Sequence, residues 1–440
     1  LRELDELKAT IKRLSERVSA TRARLADLER KESRLARTEG GEAPTGGWRM
    51  GYNRGFFWQS PAGRFGLKMN GYIIARYGMA MVGAVSEGSD ALNPPGWPDR
   101  HGFQVMNTRF GVGGNLFSTT LRYKLRFEMA GTPRLRHALL SWHPFDFMRV
   151  TVGQMKVPDS GQYLQSKSKL QLADRSVATR SFASGYDQGL RVTFRHWGGK
   201  LFEQVGVFNG SPKNLPNENM ALQYVLRVGT EPLGPMVRTE DDPGRSPDPR
   251  LRLAASVSYN KPTAGDLDGD GVTDEKHAVQ MGGEAAFVWR GLSVSANFYY
   301  RLEDHTESVD DGCPQHYQDA NRSCDRFQGF WGGFGQAGYY VWRRLQVAGR
   351  YAYTQIFDSR FEEGDGAFVR SYGSPQSLAG LTPEEVHEAT GGVSYDLYRH
   401  NIRVGLYYSW YWERGYRIDD VLTDESRHLH WIRVQTRLVF

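Results

Sequence analysis

The chain has 440 residues, 24% charged and 12% aromatic, with 50 glycines, two cysteines and a formal net charge of +6. No run of eighteen uncharged apolar residues occurs, which excludes a helical membrane protein, and aromatics spread along the whole chain exclude general disorder. The small net charge and the lack of a basic tail give no reason to expect nucleic acid, and two cysteines are too few for a disulfide scaffold or a structural zinc site.

The first segment carries heptads. Leu4, Ile11, Val18 and Leu25 fall at a, and Leu7, Leu14, Leu28 and Leu35 at d, with Thr21 and Glu32 interrupting. Two apolar positions in seven make a stripe too narrow for a large core but suited to a seam between parallel helices. The spacing predicts a coiled coil over 1–38, dimer or trimer; a single helix packed on the next domain is the alternative. Glu39 to Gly47 is rich in Gly and Glu and reads as a flexible linker. Residues 39–60 are therefore expected to be linker and entry, and 61–440 the main domain. The chain begins at Leu1 without a charged segment and apolar core of its own, so a secreted protein here implies a leader already removed.

Beyond residue 60 the hydrophobic period is two. Leu121, Tyr123, Leu125 and Phe127 alternate with Arg122, Lys124, Arg126 and Glu128. Ile432, Val434, Thr436, Leu438 and Phe440 alternate with Arg433, Gln435 and Arg437. Sixteen such runs can be counted, the first near 64–82 and the last near 428–440. Their connections alternate between tight turns, such as Arg290-Gly291, and long loops at 83–102, 157–184, 261–277, 302–328, 356–384 and 414–427. The one long turn on the tight side is 230–249. Aromatic residues cluster where apolar faces end: Tyr299 and Tyr300, Tyr339 and Tyr340, then Tyr407, Tyr408, Trp410 and Trp412. One face apolar, one charged, with short turns on one side and long loops on the other, is the pattern of a transmembrane barrel whose closure satisfies every backbone group. The expectation is all-β: a sixteen-stranded antiparallel barrel in a bacterial outer membrane, with the N-terminal coiled coil in the periplasm. A soluble β-fold also alternates and is the competing reading. The terminal Phe440 suits the barrel.

Two loops carry separate chemistry. Asp266, Asp268, Asp270 and Asp274 stand at the spacing of a calcium loop, with Gly271 at the turn, although His277 replaces the expected bidentate Glu. Calcium in an outer loop is one reading and a solvated acidic turn the other; no cofactor is required. Cys313 and Cys324, in one polar outer loop, are expected to form a disulfide in an oxidising compartment. Zinc held by Cys313, His316 and Cys324 is the alternative. No nucleophile, base and orienting group can be placed together, so an enzyme is not expected.

Several segments resemble the phosphate-selective porins O and P. They are Val152-Gly-Gln-Met-Lys-Val-Pro158, Leu170-Gln-Leu-Ala-Asp-Arg-Ser-Val-Ala178, Gly185-Tyr-Asp-Gln-Gly-Leu190 and Val205-Gly-Val-Phe-Asn-Gly210, together with the entry segment from Gly55 to Tyr72. The resemblance covers Gly55–Gly210; the C-terminal half shares only strand pattern and the final Phe. It implies a trimer of sixteen-stranded pores with the third outer loop folded into the lumen, passing anions by diffusion.

By position 157–184 is that loop, flanked by Lys156 and carrying Lys167, Lys169, Arg175 and Arg180 against Asp159 and Asp174. Basic groups in a narrow aqueous passage lower the barrier for anions and raise it for cations, and Arg holds phosphate through paired donors. Strand faces assigned to the lumen add Arg122, Lys124, Arg126, Arg191, Arg433 and Arg437, among others, with few acids: Glu128, Glu284 and Glu413. The opposing possibility is that these Arg pair with Glu and brace the wall. The expected function is an outer-membrane porin for small anions, phosphate among them. A structural anchor, whose coiled coil tethers the membrane to peptidoglycan or a periplasmic protein, is the second. Membrane lipid and lipopolysaccharide are expected neighbours.

Overall fold

The computed structural model describes residues 47–440 except 54, 83–99, 212–213, 218, 266–273, 276, 305–326, 358–382, 399 and 419–420. The coiled coil, Asp266, Asp268 and Asp270 of the acidic loop, and both cysteines lie outside the described residues; Asp274 is described for its backbone alone, in a short hairpin with Thr263–Gly265.

Sixteen strands form one closed meander. In chain order they are β1 Gly66–Val82, β2 Arg100–Leu116, β3 Ser118–Glu128, β4 Arg134–Phe145, β5 Met148–Lys156, β6 Tyr186–His196, β7 Leu201–Phe208 and β8 Gln223–Thr230. The second half comprises β9 Arg250–Asn260, β10 His277–Trp289, β11 Leu292–Asp304, β12 Phe327–Tyr340, β13 Leu345–Phe357, β14 Pro383–Tyr398, β15 Ile402–Ile418 and β16 Val421–Val439. Each pairs antiparallel with its successor, and β16 closes on β1 from Leu429↔Val82 to Val439↔Tyr72. Two backbone hydrogen bonds between Phe440 and Gly71, 2.8 and 3.0 Å, seal the seam. A Cβ at Gly71 would stand 2.6 Å from the Arg109 carbonyl and 2.7 Å from the Phe440 ring, so the seam needs a glycine there.

The alternation seen in the sequence is the inside–outside alternation of the wall. Val294, Phe298, Leu406, Val434 and Leu438 are exposed on the outer surface, while Ser293, Asn297, Ser409, Arg433 and Gln435 face a packed interior. The Arg290-Gly291 turn has positive φ at both residues, the two-residue hairpin geometry that matches strand twist.

Two expectations need correction. The last outer loop is not 414–427: Tyr416 pairs with Thr423 and Ile418 with Val421, so the hairpin continues to Ile418 on one strand and starts again at Val421 on the other. The sequence Thr423-Asp-Glu-Ser is polar throughout, and a strand beyond the hydrocarbon needs pairing but no apolar side. The aromatic pairs do not all face lipid, for Tyr299, Tyr340 and Tyr407 are at most 3% exposed and point into the lumen. Ahead of β1 the chain is also extended. Arg49–Tyr52 and Phe56–Gln59 form a hairpin whose second strand pairs with the start of β1.

Candidate pore and its constriction

The connection between β5 and β6 runs into the barrel rather than away from it. It contains two short helices, α1 Gly161–Leu164 and α2 Val177–Phe182, capped by Ser160 and Ser176, whose side chains accept from Tyr163 N and Thr179 N. Val177, Ala178 and Phe182 are at most 1% exposed and pack with Tyr299, Phe330, Phe334, Ala352 and Val386 of β11–β14. This apolar cluster inside an otherwise polar lumen fixes the loop against the far wall.

Polar contacts complete the docking. Ser160 Oγ lies 2.6 Å from Tyr299 Oη on β11, and Gln171 donates to Ser293 at 2.7 Å. Val177 N–H donates to Glu388 on β14 at 2.6 Å, and Arg437 on β16 donates to the Leu170 carbonyl at 3.1 Å. Asp174 Oδ2 takes Arg76 of β1 at 2.9 Å and Arg433 of β16 at 2.8 Å. Burial alone would raise the Asp174 carboxyl, but Arg76 and Arg433 outweigh it and hold the group well below the usual carboxylate range.

The long inner turn between β8 and β9 enters the lumen from the opposite side. Glu240 N–H donates to the Lys169 carbonyl at 3.1 Å, and Glu240 Oε2 accepts from Gln171 N–H at 2.9 Å. Asp241 meets Arg403 at 2.7 Å and accepts from Tyr340 Oη at 2.9 Å. Loop and turn thus touch in mid-lumen and fill the half bounded by β9–β16.

The predicted basic residues divide into two groups. Lys156 Nζ donates to the carbonyls of Tyr163 and Gln165 at 2.5 and 2.7 Å, and Arg175 donates to the same two carbonyls at 3.2 and 2.6 Å. Both hold the carbonyl end of α1, where a cation completes the unsatisfied helix end. Arg180 is half-buried and donates to Tyr411 Oη at 3.4 Å, and Arg433 and Arg437 are committed to the loop. In the geometry these five are engaged with the loop or the wall.

Acids on the lumen face are also more numerous than the sequence suggested. Glu303, Glu388 and Asp396 join Glu128 and Glu284, and Arg109, Arg227, Arg350 and Arg403 each have a carboxylate partner. Buried pairs of this kind brace the wall and leave little net field.

The second group is different. Against β1–β5, in the inner half of the lumen, lies a cavity of about 400 Å³ lined by Lys68, Arg122, Lys124, Arg126, His143 and Arg149 among others. No carboxylate lines it among the described residues. Arg126 donates to Asn70 at 3.1 Å and Arg149 to His143 at 2.8 Å, both neutral acceptors. Arg191 and Lys169 stand close enough to Lys124 to act on its charge, so the basic strip has members on the wall and on the loop. Lys167 opens the short turn Lys167–Lys169 of that loop. Burial, partly offset by Asp174, lowers its ammonium pKa to about 8. Lys68, Arg149 and Arg76 were not singled out from sequence. An Arg inside the apolar run 71–82 was the available signal for Arg76, since it cannot face lipid cheaply.

A closed sixteen-stranded meander, apolar outside and narrowed within by a folded-in loop, defines an outer-membrane channel of the porin type. Among solved structures the fold is similar to OmpT, an outer membrane protein of Vibrio cholerae (11% identity, 85% of this chain and 98% of that one, TM-score 0.51). It is also similar to the outer membrane channel DcaP of Acinetobacter baumannii (14% identity, 85% and 97%, TM-score 0.50). At such identity the likeness concerns the fold. Residues 91–435 match the phosphate-selective porin O and P family, and the chain belongs to that family. The match extends through the C-terminal half, where sequence resemblance had been limited to strand pattern. No curated protein matches the chain by sequence.

Proposed function

We propose that this porin passes small anions through the cleft between the basic strip of β1–β6 and the third outer loop. The carrying observation is the acid-free lining of Lys68, Arg122, Lys124, Arg126 and Arg149, set against a far wall where arginines are matched by carboxylates. Unmatched cations in a confined passage favour anions along its length. Phosphate suits the paired donors of Arg122, Arg126 and Arg149 better than a monovalent halide does. A trimer with residues 1–38 wound into a periplasmic seam accompanies this reading, supported by the heptads and by family membership. The anchor reading needs a plugged lumen, and the 400 Å³ cavity weighs against it.

The test is the reversal potential in a salt gradient across a bilayer holding the protein. Wild type should favour chloride over potassium, phosphate should slow chloride current, and Lys124→Glu with Arg126→Glu should move the potential towards cations. An unchanged potential in the double variant would remove the basic strip as the selective element.

A further inference from the structure

The outer surface carries one repeated arrangement that the pore does not use. At four outer hairpins a tyrosine on one strand meets a histidine on the next: Tyr77 with His101, Tyr259 with His277, Tyr351 with His387, and Tyr408 with His430. Each time the tyrosine hydroxyl lies against imidazole Nδ1, at 3.3, 2.6, 2.7 and 2.7 Å. A fifth histidine, His428, accepts at Nδ1 from Trp410 Nε1 at 3.1 Å. The indole N–H can only donate, so the proton of the neutral His428 ring sits on Nε2. Tyrosines donating in the same way set the same tautomer in their partners.

These side chains share one level of the wall. His387 is opposite Trp412 and Trp412 opposite His428, while across the seam Met81 is opposite His430 and Met79 opposite His101. Between β14 and β16 they merge into one patch, with His387 stacked on Trp412 at 4.7 Å and Trp412 against His428 at 6.1 Å. Below this level the outer face is apolar, with Leu406, Ile432 and Val434 exposed. The patch therefore sits where hydrocarbon gives way to headgroups on the side of the outer loops.

We propose that this belt, and above all its β14–β16 patch, binds phosphorylated glycolipid headgroups of the outer leaflet. Nε2–H groups of His428 and His430 donate to phosphate oxygens while Trp410 and Trp412 pack on the sugar and upper acyl chain; His387, whose Nε2 lies 3.8 Å from Glu385, contributes its ring against Trp412. Hydrogen-bond donors on rigid aromatic neighbours, placed at a stratum rich in phosphate acceptors, are complementary to that ligand in hydrogen bonding and in depth. The proposal rests on the outer-membrane location and is independent of which solute the lumen passes.

The test is retention of lipid by the purified protein in mild detergent, read by native mass spectrometry. The probes are bisphosphorylated lipid A and the same lipid with its phosphates removed. Wild type should retain the phosphorylated form about tenfold better, and His387→Phe, His428→Phe, His430→Phe should erase the preference while keeping the rings. Millimolar inorganic phosphate should displace none of it. Equal retention of the two lipids by wild type overturns the proposal without requiring any variant to fold, as does an unchanged preference in the triple variant. Displacement by inorganic phosphate alone would assign the groups to free phosphate and equally overturn it.

Discussion

Asp174 is the most exacting point at which to test how the lumen is built. Its carboxylate holds two guanidiniums, Arg76 at 2.9 Å and Arg433 at 2.8 Å, whose side chains are 2% and 1% exposed. Asp174→Asn keeps the shape and leaves both cations buried without their counter-charge. Breaking a buried ion pair by removing one partner costs about 3–5 kcal/mol. The docked form of the third loop should lose on the order of a hundredfold to a thousandfold in population. Single-channel recording should show a larger, noisier conductance, and the heat-unfolding midpoint should fall. Adding Arg76→Met and Arg433→Met should recover part of the loss, since the orphaned charges are then gone. Because the carboxyl lies below its ordinary range in the folded protein, its stabilisation is complete above about pH 4 and is lost as pH falls further. A quiet, unaltered conductance in Asp174→Asn would refute the clamp.

Further outcomes follow from other residues. With the Lys167 pKa near 8, anion preference should weaken between pH 7 and 9 as this ammonium deprotonates, and Lys167→Arg should flatten the profile; reversal potentials at each pH read both. Gly71→Val should impair closure, because the new side chain meets the Arg109 carbonyl and the Phe440 ring, and less folded barrel should appear on a heat-modifiability gel. Removing residues 1–47 should leave a folded barrel but a smaller assembly by light scattering; failure to fold would place the boundary elsewhere. If Asp266, Asp268, Asp270 and Asp274 gather calcium, millimolar calcium should protect 262–277 from limited proteolysis and EDTA should expose it, with Asp268→Asn, Asp270→Asn cut equally in both.

Much of the wall was legible because its cause is local. A strand between lipid and water must alternate, so Leu406, Tyr408 and Val434 declare their side without knowledge of their neighbours. The legible part stops where one contact must be known to read another. Tyr340 looked like a membrane aromatic, yet it faces inwards because Asp241 arrives from an inner turn a hundred residues earlier in the chain. Lys156 and Arg175 looked like pore cations, yet a single turn of helix presents them with carbonyls. Composition cannot tell a matched arginine from an unmatched one; only the fold brings Glu388 to Arg350 and, among the described residues, leaves the cavity around Lys124 without a carboxylate in its lining.

The clamp at Asp174 also dictates an order of events. Arg76 belongs to the first strand and Arg433 to the last, and they come within reach of one carboxylate only after the barrel has shut. Nor can the loop take its final place earlier, since its other partners lie on β11–β14 and β16. The clamp itself can therefore form only once the cylinder has closed, and the narrowing is completed last. Completion of the narrowing is thus a late event in biogenesis, and any lesion that delays the first-to-last strand junction should reveal itself as leakiness before it appears as unfolding.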